Sequence, residues 1–369
     1  MSPSLNDRLS AYADIAADLS VDAVALVPGP NFTRAVDHAF MSHERPFVLV
    51  IPARGPAAAL VPNLELGSWE LVGFDGVVFD WRDQTGYDDA FAALMQHLNI
   101  SSLAVEGQVM RVFVHHALKK AQPDLRIIDA EREISAPRMI KTEAEVAALQ
   151  KAIDISERAL RATLDSVKLG QTEKEIEQKL VQMVFAEGAD DLSFAPIVAA
   201  GDGSARPHAK AREDYHVKAG DALLIDFGAR KDGFAADITR TVFLTHVSDE
   251  GRAVYDTVLR ANLAGLEATR AGVTAHEIDD VVTGVLEASP FADRIRTKTG
   301  HGLGRDVHEA PYIMRGNHMT LPAGTVYTNE PGLYEIGNFG VRIEDDVLIT
   351  EDGYKSLTNF PKELMVLPC

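Results

Sequence analysis

Five residues in the C-terminal part of this 369-residue chain, Asp226, Asp237, His301, Glu330 and Glu344, are types that bind metal ions through oxygen and nitrogen. Asp226 lies in a strand-like run from Ala222 to Ala229, and Asp237 in a second from Phe234 to Phe243. Between them lies Lys231-Asp232-Gly233, and Asp-Gly flanked by apolar alternation predicts a tight hairpin. The aspartates stand equally far from that turn, so the simplest register sets them directly opposite each other. Opposed side chains have Cβ atoms about 4.5–5.5 Å apart, and like charges there repel. A cation is therefore expected between them. Glu330 and Glu344 repeat the pattern, with Gly337 midway. Two carboxylate pairs and one histidine predict a dinuclear metal site.

Taken singly, each position reads as well as a turn residue or a solvated charge, and Glu344-Asp345-Asp346 alone would pass for an exposed acidic run. The conjunction with Gly300-His301-Gly302-Leu303-Gly304 and His308 favours chemistry, because the flanking glycines allow close backbone approach to whatever His301 touches. Asp346 shares strand parity with Glu344, so spacing alone leaves either as the ligand. Arg342, two residues before Glu344, is placed to orient a site carboxylate; otherwise it is a surface ion pair worth little. Four carboxylates and one imidazole suit Mn²⁺, Co²⁺ or Fe²⁺ and tolerate Zn²⁺, and no thiolate is present to impose zinc. The glycines around His301 do not open a helix after a strand, so they are not a dinucleotide loop. No Gly-x-Ser-x-Gly elbow occurs either.

At these residues the chain resembles the creatinase/prolidase/methionine aminopeptidase superfamily, peptidase family M24, in its proline-specific branch. The matching stretches are Ile225-Asp-Phe-Gly-Ala, Ala236-Asp-Ile-Thr-Arg-Thr, Gly300-His-Gly-Leu-Gly with Val307-His-Glu, Asn329-Glu-Pro-Gly-Leu-Tyr and Val341-Arg-Ile-Glu-Asp-Asp-Val. The resemblance implies an α+β pita-bread catalytic domain and a smaller α/β N-terminal domain. It implies hydrolysis of Xaa-Pro dipeptides or short peptides with two divalent ions, Mn²⁺ first among them. Asp237 and Glu344 would bridge the ions, Asp226 would complete one, and His301 and Glu330 the other. Glu330 would accept the proton of the attacking water, His308 would donate to the scissile carbonyl, and His208 would contact the substrate near the leaving group. A homodimer is implied by resemblance alone. Two positions depart from the relatives: Thr297 stands where a histidine is usual, and Tyr312 where some prolidases carry an arginine. A creatinase-like hydrolase of another small molecule, or a non-catalytic binding module on the same scaffold, are the competing readings.

The elements that must position this site follow from periodicity. Residues 1–134 alternate a helix (Leu5 to Leu19) with short apolar runs at Ala23–Val27, Pro46–Ile51, Gly76–Phe79 and Leu103–Val105, which predicts a small α/β layer domain. The catalytic domain is expected over residues 135–369, with the boundary near Ser135–Arg138. Thr142-x-x-Glu145 and Thr172-x-x-Glu175 are capping boxes opening two helices, the first stopped by Gly170 and the second by Gly188. A further helix pair is expected over 249–268 and 275–288. The net charge of −19, from 36 Lys+Arg against 55 Asp+Glu, argues against nucleic acid or an anionic membrane as partner. No run approaches the roughly 20 apolar residues that span a bilayer. The segment Met1–Arg8 lacks the pattern of a secretory signal, and the single Cys369 suits a reducing cytoplasm.

Overall fold

Ala23 and Ala25 point to one side of a strand and Val24 and Leu26 to the other, and both sides are covered by apolar layers. This double burial sets the architecture of the N-terminal part. The computed structural model describes residues 4–41 and 43–369; residues 1–3, part of the segment read for a secretory signal, lie outside them. The chain divides into two units, Met1–Arg138 and Met139–Cys369.

In the first unit the elements run α1 (Leu5–Asp18), β1 (Ala23–Leu26), α2 (Pro30–Val36), β2 (Val48–Pro52), β3 (Ala58–Pro62), α3 (Leu66–Glu70), β4 (Val77–Trp81), α4 (Asp88–Leu98), β5 (Ser102–Val105), α5 (Val112–Ala121), β6 (Arg126–Asp129) and α6 (Glu131–Met139). The six strands form one mixed sheet in the order β4-β3-β2-β1-β5-β6. Helices α1 and α2 cover one face, and α4 and α5 the other. Strands β3 and β6 were not expected from the sequence; β6 is half-exposed and shows no clean alternation. Ser135 to Arg138 are the last turns of α6, a helix that carries Pro137 in its interior.

The second unit begins with α7 (Glu143–Leu164) and α8 (Glu173–Ala186), each opened by the expected Thr–Glu capping box. Helix α7 stops at Leu164, six residues before Gly170, because Asp165 already caps it. Then come β7 (Asp191–Leu192), β8 (Ile197–Ala200), β9 (Ala222–Phe227), β10 (Ala229–Lys231), β11 (Phe234–Ala235) and β12 (Ile238–Leu244). A second helix pair follows, α9 (Asp249–Ala268) and α10 (Ala275–Glu287). The chain ends with β13 (Gly300–Gly302), β14 (Glu309–Ile313), β15 (Val326–Asn329), β16 (Gly332–Tyr334), β17 (Gly340–Arg342), β18 (Asp345–Ile349), β19 (Tyr354–Ser356) and β20 (Val366–Leu367). The two halves thus repeat a plan of helix pair then hairpins, around the sheets β20-β12-β9-β8 and β14-β13-β15-β18-β19. This is the α+β organisation expected of the pita-bread fold. Among the described residues no helix is long and apolar enough to cross a membrane.

Candidate metal centre

The first hairpin departs from the register read off its sequence. Asp232 (φ 52°) and Gly233 (φ 78°) both adopt left-handed backbone, and Lys231 pairs with Phe234 across them. Two central residues of positive φ make a type I′ turn, whose centre lies between Asp232 and Gly233. Asp226 is therefore opposite Thr239, not opposite Asp237. The aspartates become diagonal neighbours on one face, a looser spacing that still lets both side chains reach a common point. The second hairpin keeps the expected register. The pairs Asn329↔Asp345 and Gly332↔Arg342 flank a short unpaired stretch, which sets Glu330 across from Glu344.

The two hairpins are stitched together at the site. The Glu344 N–H leaves its own sheet and donates to the Thr239 carbonyl at 3.1 Å, while the Thr239 hydroxyl donates to Glu344 Oε2 at 2.5 Å. Just after β15, the Glu330 N–H donates to the Thr299 carbonyl at 2.7 Å, and in β13 the His301 N–H donates to Thr328 Oγ1 at 3.1 Å. Carboxylates and imidazole thereby converge from both halves of the unit. Ligand atoms of Asp226, Asp237 and Glu344 lie within 4.8 Å of one another, as do those of His301, Glu330 and Glu344, and those of Asp237, His301 and His308.

Burial is what makes this grouping costly. Asp226, Asp237, His301 and Glu344 are all buried, and Glu330 is mostly so. Burial first, then Glu344 and Asp226, pushes the Asp237 carboxyl well above the usual carboxylate range. Burial, then Glu330 and Asp226, does the same to Glu344. Glu330 is lifted by burial to about 7. His301 is pushed down to about 3 by burial and by His308, so its ring is neutral. Its Nδ1 lies 3.1 Å from the Gly302 carbonyl, which assigns the proton to Nδ1 and leaves the Nε2 lone pair facing Glu330 Oε1 at 3.3 Å and Asp237 Oδ2 at 3.7 Å.

The donor set fits divalent ions. Asp226 Oδ1 and Asp237 Oδ1 are buried and accept no hydrogen bond from the protein. Buried acceptors without partners are rare, and here they border a cluster of like charges that a cation would neutralise. Asp346, the spacing rival of Glu344, is occupied elsewhere: its Oδ2 accepts from the Asp237 N–H at 3.2 Å, and burial holds its carboxyl well above the usual range. The acidic run Glu344-Asp345-Asp346 is wholly buried, unlike the solvated run it resembles in isolation.

Arg342 is buried, and its guanidinium pairs with Asp226 Oδ2, donates to the Tyr334 hydroxyl at 2.8 Å and to Thr239 Oγ1 at 3.0 Å. It is an interior ion pair, not the surface one its position would also have allowed. His308 is exposed, yet its ring meets that of His301 edge-on, with centroids 4.0 Å apart. Partial burial and Lys298 lower its pKa, and His208 is close enough to add to that shift. His208 is itself exposed and makes no hydrogen bond to the carboxylates; its neighbour Pro207 offers its carbonyl to Arg342 at 3.5 Å. Thr239, Thr328 and Tyr334 were not singled out in advance. Thr239 shares strand parity with Asp237, a signal that could have found it; Tyr334 had none.

Residues 147–351 match metallopeptidase family M24, and residues 8–140 match the creatinase/prolidase N-terminal domain. An Xaa-Pro dipeptidase of Pyrococcus horikoshii is 30% identical over 368 residues, covering 98% of this chain and 99% of that protein. Among solved structures, a prolidase from Thermococcus sibiricus superposes with a TM-score of 0.93 at 32% identity over 100% of both chains. An X-Pro aminopeptidase from Thermotoga maritima gives 0.82 at 32% identity, covering 96% of this chain and 98% of that one. With more than half its length matched, the chain belongs to metallopeptidase family M24.

Proposed function

We propose that this metallopeptidase hydrolyses the bond before proline in Xaa-Pro dipeptides, with two divalent ions held by Asp226, Asp237, His301, Glu330 and Glu344. The observation that carries the reading is the overlap of the ligand clusters: Asp237, His301 and Glu344 each belong to two of them, and of these only the carboxylates Asp237 and Glu344 have two oxygens to share. Those two are assigned as the carboxylates shared between ions, with Asp226 completing one ion and His301 and Glu330 the other. The thiolate-free, oxygen-rich set favours Mn²⁺, with Co²⁺, Fe²⁺ or Zn²⁺ as substitutes. When bound, such a pair supplies Lewis-acid polarisation and a nucleophilic water near neutral pH.

The chain's own residues do the rest. Glu330, whose Oε1 lies 3.3 Å from His301 Nε2 at the centre of the cluster, accepts the proton of the attacking water and returns it to the departing nitrogen. His308 donates to the scissile carbonyl oxygen as charge develops there. His208 holds the substrate near the leaving group. Arg342 holds Asp226 in one rotamer by pairing with its Oδ2. The reading takes the enzyme as a homodimer in a reducing cytoplasm, on the strength of the resemblance and of the single Cys369.

A second reading, cleavage of longer Xaa-Pro peptides, is favoured by the likeness to the Thermotoga aminopeptidase. The test is a panel of Xaa-Pro dipeptides, Xaa-Pro-Yaa tripeptides and Xaa-Ala controls with Mn²⁺-loaded protein, scored by released amino acid. Free proline from dipeptides is expected. Cleavage of tripeptides alone would shift the assignment to the aminopeptidase, and metal-loaded protein inert on the whole panel would overturn both.

A further inference from the structure

Lys141 and Glu309 are 168 residues apart in sequence, and their side chains meet in the interior, Nζ to Oε1 at 2.5 Å, each only 2% exposed. Neither has a part in the function proposed above. A buried ion pair is weak evidence for stability, because desolvation offsets most of the attraction; its best-attested use is to select one arrangement over another.

The arrangement at stake is that of His308. Glu309 is the first residue of β14 and pairs with Gly302, just past a register shift that follows His301. His308 is bonded directly to Glu309, so whatever fixes the Glu309 backbone limits where His308 can point. Glu309 is buried, and His308, in the bend directly before the strand, is exposed, with its ring against that of His301. Fastening Glu309 thus sets the direction of His308. The other end of the fastening is rigid. The Lys141 N–H donates to the Gly324 carbonyl at 2.8 Å, Ile140 bridges to Thr325, and Thr142 caps α7. The loop between His301 and His308 is wrapped tightly on the pair. A Cβ at Gly304 would stand 2.7 Å from Glu309 Oε1 and 3.0 Å from Lys141 Cε.

We infer that the buried Lys141–Glu309 pair is a positioning device for His308, holding its ring over the metal centre in the orientation that meets the substrate. The inference rests on the assignment of His308 proposed above. Removing one partner would leave the other's buried charge without its counter-ion in this pair, so the informative variant replaces both, Lys141→Met with Glu309→Leu, alongside Lys141→Arg as the conservative change.

The double variant is expected to keep its metal content and thermal transition. It should lose kcat on Xaa-Pro dipeptides by about 10- to 100-fold, the scale of a misplaced hydrogen-bond donor, with KM changed by less than about threefold. Lys141→Arg should recover most of the loss. In a His308→Ala background the same replacement should cost almost nothing further. An equal loss in both backgrounds, a loss that tracks metal content, or no loss at all would each overturn the inference. A separate readout keeps this apart from the substrate assignment: in zinc-loaded protein, the His308 imidazole NMR signal, identified by its absence in His308→Ala, should shift or broaden in the double variant. An unchanged His308 signal would overturn the positioning role, whereas wild-type protein inert on every peptide would sink the substrate assignment instead.

Discussion

Loading the empty protein with metal should expel protons, and the number can be bounded from the burial of the ligands. Metal ligands must be deprotonated to bind. Without metal, burial holds Glu330 at about 7 and, with the help of neighbouring carboxylates, keeps Asp237 and Glu344 well above their usual range. At pH 6 Glu330 carries a proton that the ions must displace, and the upward shifts of Asp237 and Glu344 favour protonation of those carboxyls as well. Each displaced proton makes the apparent affinity change about tenfold per pH unit, or about 1.36 kcal/mol. The logarithm of the affinity for Mn²⁺ should therefore rise with pH with a slope between about one and three below pH 7. Calorimetric titration of metal-free protein in buffers of different ionisation enthalpy measures the protons directly. Melting adds a second check: free ion at about 100 times Kd contributes about 2.7 kcal/mol per site. For a unit of this size that corresponds to roughly 5–10 °C in Tm. Binding at pH 6 without proton release, or an affinity flat from pH 5.5 to 7.5, would refute the argument that the clustered carboxylates are neutralised by protons until an ion replaces them.

Glu106 in the first unit is buried, accepts from Asn31 Nδ2 at 2.7 Å, and is raised by burial to about 7. Its stabilising contribution is complete below the unfolded value near 4.3 and is lost as pH rises through about 7, a swing on the order of 3 kcal/mol. Glu106→Gln should flatten that dependence and raise the urea midpoint at pH 8, and an unaltered pH slope in the variant would count against it. Arg240 is buried beneath the site, donating to the Glu344 carbonyl at 2.6 Å and to Asp345 Oδ1 at 2.8 Å. Burial alone would raise Asp345, but Arg240 and then Lys362 outweigh it and hold its carboxyl low. Arg240→Met leaves Lys362 on that carboxylate but removes the donor to the buried Glu344 and Phe360 carbonyls, and should cost about 2–3 kcal/mol, roughly 4–12 °C in Tm; a melting curve within about 2 °C of the parent would contradict this. Thr297→His, which restores the histidine usual in proline-specific relatives, should raise kcat/KM on Xaa-Pro dipeptides by up to about 10²-fold if that donor acts on the transition state. An unchanged or lower kcat/KM would show that Thr297 is not a deficit.

Local rules were enough for the four long helices of the second unit, though not for β3 and β6, and they named the residue types that the fold brings together. Helices α7, α8 and α10 start where a threonine and a glutamate three residues on satisfy each other's amides, because capping is a contact within one turn. The glutamate hairpin was legible for the same reason: Gly337, at φ 86°, centres it, and the register follows from the turn. Where the same local logic failed, the difference was small but decisive. The aspartate turn is centred between Asp232 and Gly233, which moved Asp226 opposite Thr239 and turned a direct pair into a diagonal one. What no spacing could reveal is which groups become neighbours across the two halves of the unit. Asp346 and Glu344 share strand parity, yet one holds the Asp237 backbone and the other joins the ligand clusters, because the β12 hairpin happens to cross there. Arg342 became an interior partner of Asp226, and Lys141 met Glu309, through chain separations of 116 and 168 residues. Sequence determines side-chain type and local periodicity, which act over a few residues. Burial, charge repulsion and the raised pKa values that follow from them exist only once packing has excluded water, and that was decided by the tertiary structure.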